Sequence, residues 1–210
     1  MYLQWHRILV LLIVLAVTAN LSAQSHSTMN IYLNSGVSFP SSPDLFSSGW
    51  SNGFNFGAGL GKMVSPAIEL GGNFSFHTFS FDEDGLLESL GFGNAGSSLT
   101  VDGGSATILT AYGNVKLRFQ SAPDQKVSPY FSGGAGFFRI SLGDATISGS
   151  GGTISTPGGS ESALGIDFGA GIDFQLGPKT ALFIDGKYAI GFTEDESVQY
   201  FPVIVGIRIH

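Results

Sequence analysis

The chain contains no cysteine, so neither disulfide bonds nor thiol chemistry can contribute to its fold or function. Charge is also scarce. Asp, Glu, Lys and Arg make up 12% of the 210 residues, whereas about a quarter is usual in soluble domains. A hydrophobic share of 43% and 18 phenylalanines exclude a disordered chain. The sequence also lacks phosphate-binding loops, metal-ligand spacings and basic nucleic-acid patches, so we expect no cofactor, no metal and no nucleic-acid partner.

Long apolar runs are absent, with one exception. Residues 8–19 carry no charge and precede the small residues Ser22 and Ala23, a pattern typical of a secretory signal peptide. We therefore predict a signal peptide over residues 1–23, cleaved after Ala23, and a single domain over residues 24–210. The alternative is an uncleaved anchor, but the run is shorter than the roughly 20 residues that a spanning helix needs. A membrane-spanning mature protein would therefore have to be a β-barrel.

The chain is rich in strict alternation between apolar residues and small or polar residues. In residues 163–177, for example, Ile166 and Phe168 lie in one register, whereas Asp167 and Gly169 lie in the other. A period of two is that of a β-strand. The same pattern predicts eight strands, at residues 29–39, 53–61, 67–79, 107–119, 129–142, 163–177, 180–192 and 199–210.

The connections between these strands alternate in length. Short, proline-containing connections follow the second, fourth and sixth strands, and mostly longer ones follow the first, third, fifth and seventh. None shows the 3.6-residue period of an amphipathic crossover helix. This alternation is typical of an up-and-down barrel whose two ends face different compartments. The predicted fold class is therefore all-β, an eight-stranded antiparallel up-and-down barrel.

The charges decide which face of the barrel points inward. A soluble barrel of the lipocalin kind needs frequent charges on its outer register, but the polar register here is mostly glycine, serine and asparagine. We therefore predict a transmembrane barrel with its apolar face toward lipid and its few charges paired in the lumen. In the fifth strand both registers carry aromatic residues, and we use Arg139 to place its odd-numbered positions inside. The predicted lumen charges are Glu69, Lys116, Arg118, Arg139, Asp167, Asp173, Asp185, Lys187 and Arg208.

The long connections are acidic. They hold eleven Asp and Glu residues without one Lys or Arg, so we expect an acidic outer rim that attracts the divalent cations bridging lipopolysaccharide. The clusters at residues 82–84 and 194–196 lack the spaced ligands of a dedicated calcium loop and are interpreted as solvated turns. These outer-loop acids are Asp82, Glu83, Asp84, Glu194, Asp195 and Glu196.

The chain resembles the small outer-membrane barrels of the OmpA and OmpX kind and the outer-membrane β-barrel domain family. The resemblance rests on glycine-aromatic stretches, namely SGWSNGFNFGAGLG at residues 48–61, SPYFSGGAGFF at residues 128–138 and YFPVIVGIRI at residues 200–209. It covers nearly all of the mature chain. It implies an integral protein of the bacterial outer membrane, surrounded by lipid and lipopolysaccharide.

The leading functional hypothesis is a structural or binding barrel that works as a monomer with a plugged lumen. Its long loops would bind an extracellular ligand, because loops on a rigid scaffold are where binding usually resides. One alternative is a lipid A-modifying enzyme built on His77 with Ser75 or Ser80. The others are a narrow pore and a soluble lipocalin-like protein. The sequence identifies no catalytic residue.

Overall fold

A computed structural model describes residues 29–89, 91, 99–119, 125–149 and 152–210. The predicted signal peptide, residues 1–23, lies outside the described residues. The elements in chain order are β1 (Met29–Ser42), α1 (Asp44–Gly49), β2 (Gly53–Met63), β3 (Ile68–Phe79), α2 (Glu83–Ser89), β4 (Leu99–Gly103), β5 (Ala106–Arg118), β6 (Val127–Leu142), β7 (Ala145–Gly149), β8 (Gly152–Thr156), β9 (Gly159–Gln175), β10 (Thr180–Gly191) and β11 (Val198–Ile209).

Eight of these strands form a closed antiparallel barrel in the order β1-β2-β3-β5-β6-β9-β10-β11, with β11 pairing back onto β1. They correspond to the eight segments of alternating sequence, so the predicted fold class is confirmed. Consecutive strands run in opposite directions, which places all short connections at one end of the barrel, here called the turn end. The longer connections lie at the opposite end, called the loop end. Among the described residues, neither helix is long and apolar enough to cross a membrane.

The apolar register faces outward along the wall. Phe168 is 55% exposed, and its apolar neighbours Leu164 and Ile172 are exposed in the same way. Asp167 and Asp173, in the alternate register of the same strand, are buried inside. Because a belt of exposed large apolar side chains around a closed barrel is incompatible with water, the wall is the lipid-facing surface of a membrane barrel.

Strand β6 is the fifth predicted strand, and the prediction that its odd-numbered side chains face the lumen was wrong. Its even-numbered residues face the lumen, where Tyr130 and Phe138 are buried, and Arg139 is exposed on the outside. The large rings fit inward because glycines lie opposite them: a Cβ atom at Gly171 would overlap Tyr130, and one at Gly191 would overlap Phe138. Arg139 lies near the loop end and donates a hydrogen bond to Ser160 at 2.8 Å. It is therefore not part of the lumen charge network.

Valine in place of Gly171 should destabilise the barrel by about 1–3 kcal/mol, because overpacking forces neighbouring side chains and backbone to shift. The added atoms would meet the Tyr130 ring and the Ile184 carbonyl. Gly159 is a matched control on the same strand, because a Cβ atom there meets nothing within 4 Å. Urea unfolding of Gly171→Val and Gly159→Val in lipid vesicles would measure the difference. Equal unfolding midpoints would contradict the packing role of Gly171.

The loop end contains more regular structure than expected from its composition. Strands β4, β7 and β8 form a separate three-stranded sheet, called the outer sheet, in the order β4-β7-β8. It continues the barrel strands β5, β6 and β9 beyond the wall. Two backbone hydrogen bonds join the chain where β4 leads into β5 to the chain where β6 leads into β7. The Gly104 N–H donates to the Asp144 carbonyl at 2.8 Å, and the Gly143 N–H donates to the Ser105 carbonyl at 3.1 Å. The sequence predicted only loops here, because these strands are short and rich in glycine and hydroxyl residues.

Candidate functional site

The turn-end half of the lumen is built around two buried carboxylates and two arginines, one of which contacts both carboxylates. Asp173 accepts hydrogen bonds from Arg118 and, at 2.9 Å, from Arg208. Arg118 also donates to Glu69 at 2.8 Å, and the Tyr32 hydroxyl donates to the same carboxylate at 2.5 Å. All five side chains are buried. The alternating register of β1, β3, β5, β9 and β11 brings these residues inward at one level, and their charges compensate one another.

A second ion pair lies deeper in the lumen. Lys187 on β10 donates to Asp167 on β9 at 3.0 Å, and both residues are buried. Asp185, two residues before Lys187 on β10, faces the lumen as well. Side chains two apart on a strand share a face, so Asp185 and Lys187 place opposite charges side by side. The described part of the lumen therefore carries both signs of charge at more than one level.

Within the described residues, Lys116 is held by aromatic rings rather than by a direct ion pair. Its Nζ atom lies 4.1 Å from the ring centre of Tyr130, 4.5 Å from that of Tyr32 and 5.4 Å from that of Phe183. An ammonium group over the face of an aromatic ring is stabilised by the ring quadrupole, most strongly where water is excluded. The three rings come from three different strands. Lys116 thus ties together β1, β6 and β10 across the lumen.

A polar cavity of about 80 Å³ lies beside these groups, with room for a few water molecules. Its lining includes Lys116, Asp185 and Lys187. The Ser132 hydroxyl, which also lines it, and one oxygen of Asp185 have no hydrogen-bond partner within the protein. Buried polar atoms of this kind are commonly satisfied by internal water. The cavity is therefore suited to hold internal water beside the buried charges.

An apolar cluster lies at the loop end of the lumen, and the sequence analysis missed it. Phe46 on α1 is buried against Phe79, with ring centres 5.2 Å apart. Trp50 follows α1, packs on Phe46 and donates its indole N–H to the Gly104 carbonyl at 3.2 Å. The only signal in the sequence was the presence of Phe46 and Trp50 in an otherwise polar connection. The buried members of this apolar cluster are Phe46, Phe79, Ala106, Ile108, Phe138, Ile140, Ala189, Val198 and Tyr200.

His77, the proposed centre of an enzyme site, lies buried in the lumen at 2% exposure. Its Nδ1 atom is 2.8 Å from the Ser38 hydroxyl, and that hydroxyl accepts a hydrogen bond from the Asn55 side chain at 2.9 Å. Its ring packs against Tyr200 of the apolar cluster. The sequence had grouped His77 with Ser75 and Ser80, but the serine beside it comes from β1. The registers of β1 with β2 and of β2 with β3, rather than spacing along the chain, bring these two side chains together.

The six predicted outer-loop acids divide into two groups. Asp82 and Glu83 have structural hydrogen bonds: Asp82 accepts from the Gly85 N–H at 3.0 Å, and Glu83 accepts from the Val101 N–H at 2.7 Å. The others are exposed, namely Asp84, Glu194, Asp195 and Glu196. Within the described ranges, no group of three or more His, Asp or Glu side chains is placed to hold a metal ion.

Of the nine predicted lumen charges, the structure places eight inside the barrel and one, Arg139, outside. Eight antiparallel strands, an apolar outer wall and buried ion pairs in the lumen define the chain as an outer-membrane β-barrel protein. The family model described as "Outer membrane protein beta-barrel domain" matches residues 8–207. The chain belongs to this family.

A solved structure shows the same fold. The chain is similar to Neisserial surface protein A, with a TM-score of 0.60 and 13% sequence identity over 88% of this chain and 99% of that one. Ail of Yersinia pestis aligns over 88% of this chain and all of its own, with a TM-score of 0.49 and 16% identity. No curated protein matches the sequence. At these identities, the likeness to Neisserial surface protein A shows the fold alone.

Proposed function

We propose that this protein is a non-conducting outer-membrane barrel that binds basic polypeptides at its loop end. The observation that carries the proposal is the contrast between the two parts of the molecule. Buried side chains occupy the lumen at several levels, whereas the loop end carries two helices and a sheet with exposed acidic residues. A blocked scaffold with an ordered, charged outer surface is suited to binding rather than to transport.

The orientation follows from the barrel class. Outer-membrane barrels have short periplasmic turns and longer extracellular loops, so the loop end faces the cell surface. The exposed acids Asp84, Glu194, Asp195 and Glu196 then face the medium. They attract cationic partners and the divalent cations that bridge lipopolysaccharide. The closed wall leaves no free strand edge within the membrane, which supports a monomer surrounded by lipid.

The lumen contents support the non-conducting part of the proposal. An ion crossing the barrel would have to pass the apolar cluster that includes Phe46 and Phe79, and then the network of Asp173 with Arg118 and Arg208. Breaking one buried ion pair costs roughly 3–5 kcal/mol, so spontaneous opening would be rare. The proposal assigns no catalytic step, because His77 is enclosed beneath the same apolar cluster.

The experiment measures conduction and binding on the same purified protein. Planar-bilayer recordings should show no channel events, because ion pairs and apolar rings occupy the lumen. Fluorescent poly-L-lysine should bind vesicles carrying the protein with its loop end outward. A triple variant that combines Glu194→Gln, Asp195→Asn and Glu196→Gln should bind poly-L-lysine several-fold more weakly, because three exposed charges are removed.

The control is Lys62→Gln with Lys179→Gln, which changes two charges at the turn end, on the inner side of the same vesicles. Poly-L-lysine should bind this variant as it binds the wild type. Regular channel events would contradict the non-conducting lumen. Poly-L-lysine binding that is equally strong with and without the three loop acids would contradict binding through the acidic loop end.

A further inference from the structure

The two edges of the outer sheet differ in how they are covered. At the β4 edge, the Val101 N–H donates to the Glu83 carboxylate of α2 at 2.7 Å, and Val101 is buried. At the opposite edge, all five residues of β8 are exposed, and no described strand pairs with its outer side. An uncovered strand edge presents unpaired backbone donors and acceptors, which template the addition of another strand.

The pairing pattern shows which backbone groups of β8 point outward. Because the Val101 N–H bonds to Glu83, Val101 and its partner Ile147 form a pair without mutual backbone hydrogen bonds. Backbone groups alternate in direction along an antiparallel strand, so Ile147 turns its N–H and C=O toward Ile154 on β8. The neighbours of Ile154, which are Thr153 and Ser155, therefore direct their N–H and C=O groups away from the sheet.

The β8 edge carries none of the usual protection against strand addition. Natural edges are protected by charged side chains, proline or bulges, but β8 reads Gly-Thr-Ile-Ser-Thr and pairs with β7 without a register shift. Three of its five residues are β-branched, which favours an extended backbone. Ile154 is 70% exposed, and its neighbour Ile147 is 44% exposed on the same face. This edge therefore combines free backbone groups with an apolar contact surface.

The charges around the edge select the partner. On the face of the outer sheet opposite Ile154, Asp102 aligns with Thr146, which in turn aligns with Ser155. Asp102 and Asp144 are both exposed. The long connections as a whole carry no Lys or Arg. A strand added beside β8 would place alternate side chains next to Ile154 on one face and next to Thr153 and Ser155 on the other, which is the face of the outer sheet that carries Asp102.

We propose that the outer edge of β8 binds an extended polypeptide whose residues alternate between apolar and basic, by adding it as a fourth strand to the outer sheet. Backbone hydrogen bonds to Thr153 and Ser155 supply the pairing, while Ile154 and the acidic face select the side chains. This inference rests on the proposed function and names both the part of the loop end that binds and the form of the bound partner.

The test uses an eight-residue fluorescent peptide that alternates lysine with valine, and the same peptide N-methylated at every backbone amide. Both carry the same charge, but only the first can pair as a strand. The full-length barrel is inserted in vesicles with its loop end outward, and binding is measured by fluorescence anisotropy. The unmodified peptide should bind at least about tenfold more tightly, which corresponds to about 1.4 kcal/mol.

Two protein variants locate the contact. Ser155→Pro removes an outward N–H without removing a hydrogen bond to β7, and it should weaken binding of the unmodified peptide by about tenfold. Ser155→Ala keeps that N–H and should bind like the wild type. Heat-modifiable migration of each variant checks that the barrel is folded, and the N-methylated peptide tests strand pairing on unaltered protein.

Each other outcome overturns the inference in a recognisable way. Equal binding of the two peptides would mean that charge alone attracts basic chains, which leaves the proposed function standing without strand addition. Absence of binding by either peptide, together with absence of poly-L-lysine binding, would remove the proposed function as well. Self-association that Ser155→Pro abolishes, without peptide binding, would show that a second copy of this chain occupies the edge.

Discussion

Replacing Asp173 with alanine should destabilise the folded barrel by about 3–5 kcal/mol. Asp173 is 2% exposed and is the shared acceptor for Arg118 and Arg208. Without it, Arg208 loses its carboxylate partner, and Arg118 keeps only Glu69 among its described ion pairs. Buried charges without partners are far more costly than the pair is favourable. Urea unfolding in lipid vesicles, followed by tryptophan fluorescence, measures the loss.

Two further substitutions separate charge pairing from simple side-chain removal. Asp173→Asn preserves an acceptor oxygen for one arginine and should fall between wild type and Asp173→Ala. Asp195→Ala removes an exposed carboxylate at the loop end and should leave the unfolding midpoint nearly unchanged. If Asp173→Ala and Asp195→Ala unfold at the same urea concentration, the inner network does not stabilise the barrel.

Arginine in place of Phe168 should disfavour the inserted barrel by about 2–4 kcal/mol, the cost of a positive charge on the lipid face near the midplane. Phe168 lies near the middle of β9, is 55% exposed on the wall and contacts Tyr188 with ring centres 5.7 Å apart. Folding yield into vesicles as a function of urea measures the effect.

Two control variants test whether the effect depends on depth in the membrane and on the face of the wall. Leu176→Arg changes a residue that is 67% exposed just beyond β9 at the turn end, where the expected cost is only about 0–1 kcal/mol. Asp167→Asn changes the inward neighbour of Phe168 and keeps an acceptor for Lys187, so it should be tolerated better than Phe168→Arg. A Phe168→Arg barrel that inserts as readily as Leu176→Arg would overturn the assignment of faces.

Alternation predicts the inward register correctly where only one register of a strand carries large apolar residues. In β9, Asp167 and Asp173 share a register with glycines, and the structure buries that register. In β6 the same logic failed, because aromatic residues occupy both registers and Arg139 was the only charge available to decide between them. The deciding factor was the space that Gly171 and Gly191 leave for Tyr130 and Phe138, and these glycines lie on other strands.

The alternating pattern also could not predict contacts between segments that are distant in sequence. Phe46 lies in the lumen although it belongs to the connection between β1 and β2. Ser38 on β1 contacts His77 on β3, and β2 lies between these two strands. Neither contact follows from spacing along the chain, because each depends on barrel closure and on the registers between strands. The three strands of the outer sheet escaped notice because each is only five residues long.

The sequence by itself determined the barrel, its strand number and its membrane-facing surface. These properties depend on a local period of two and on where charge is missing, and both can be counted along the chain. Only the tertiary structure decided which carboxylate pairs with which arginine, how Lys116 is held between three rings, and which edge of the outer sheet has no described strand beside it. Those features depend on the registers between strands that are far apart in sequence, and a local pattern carries no information about such registers.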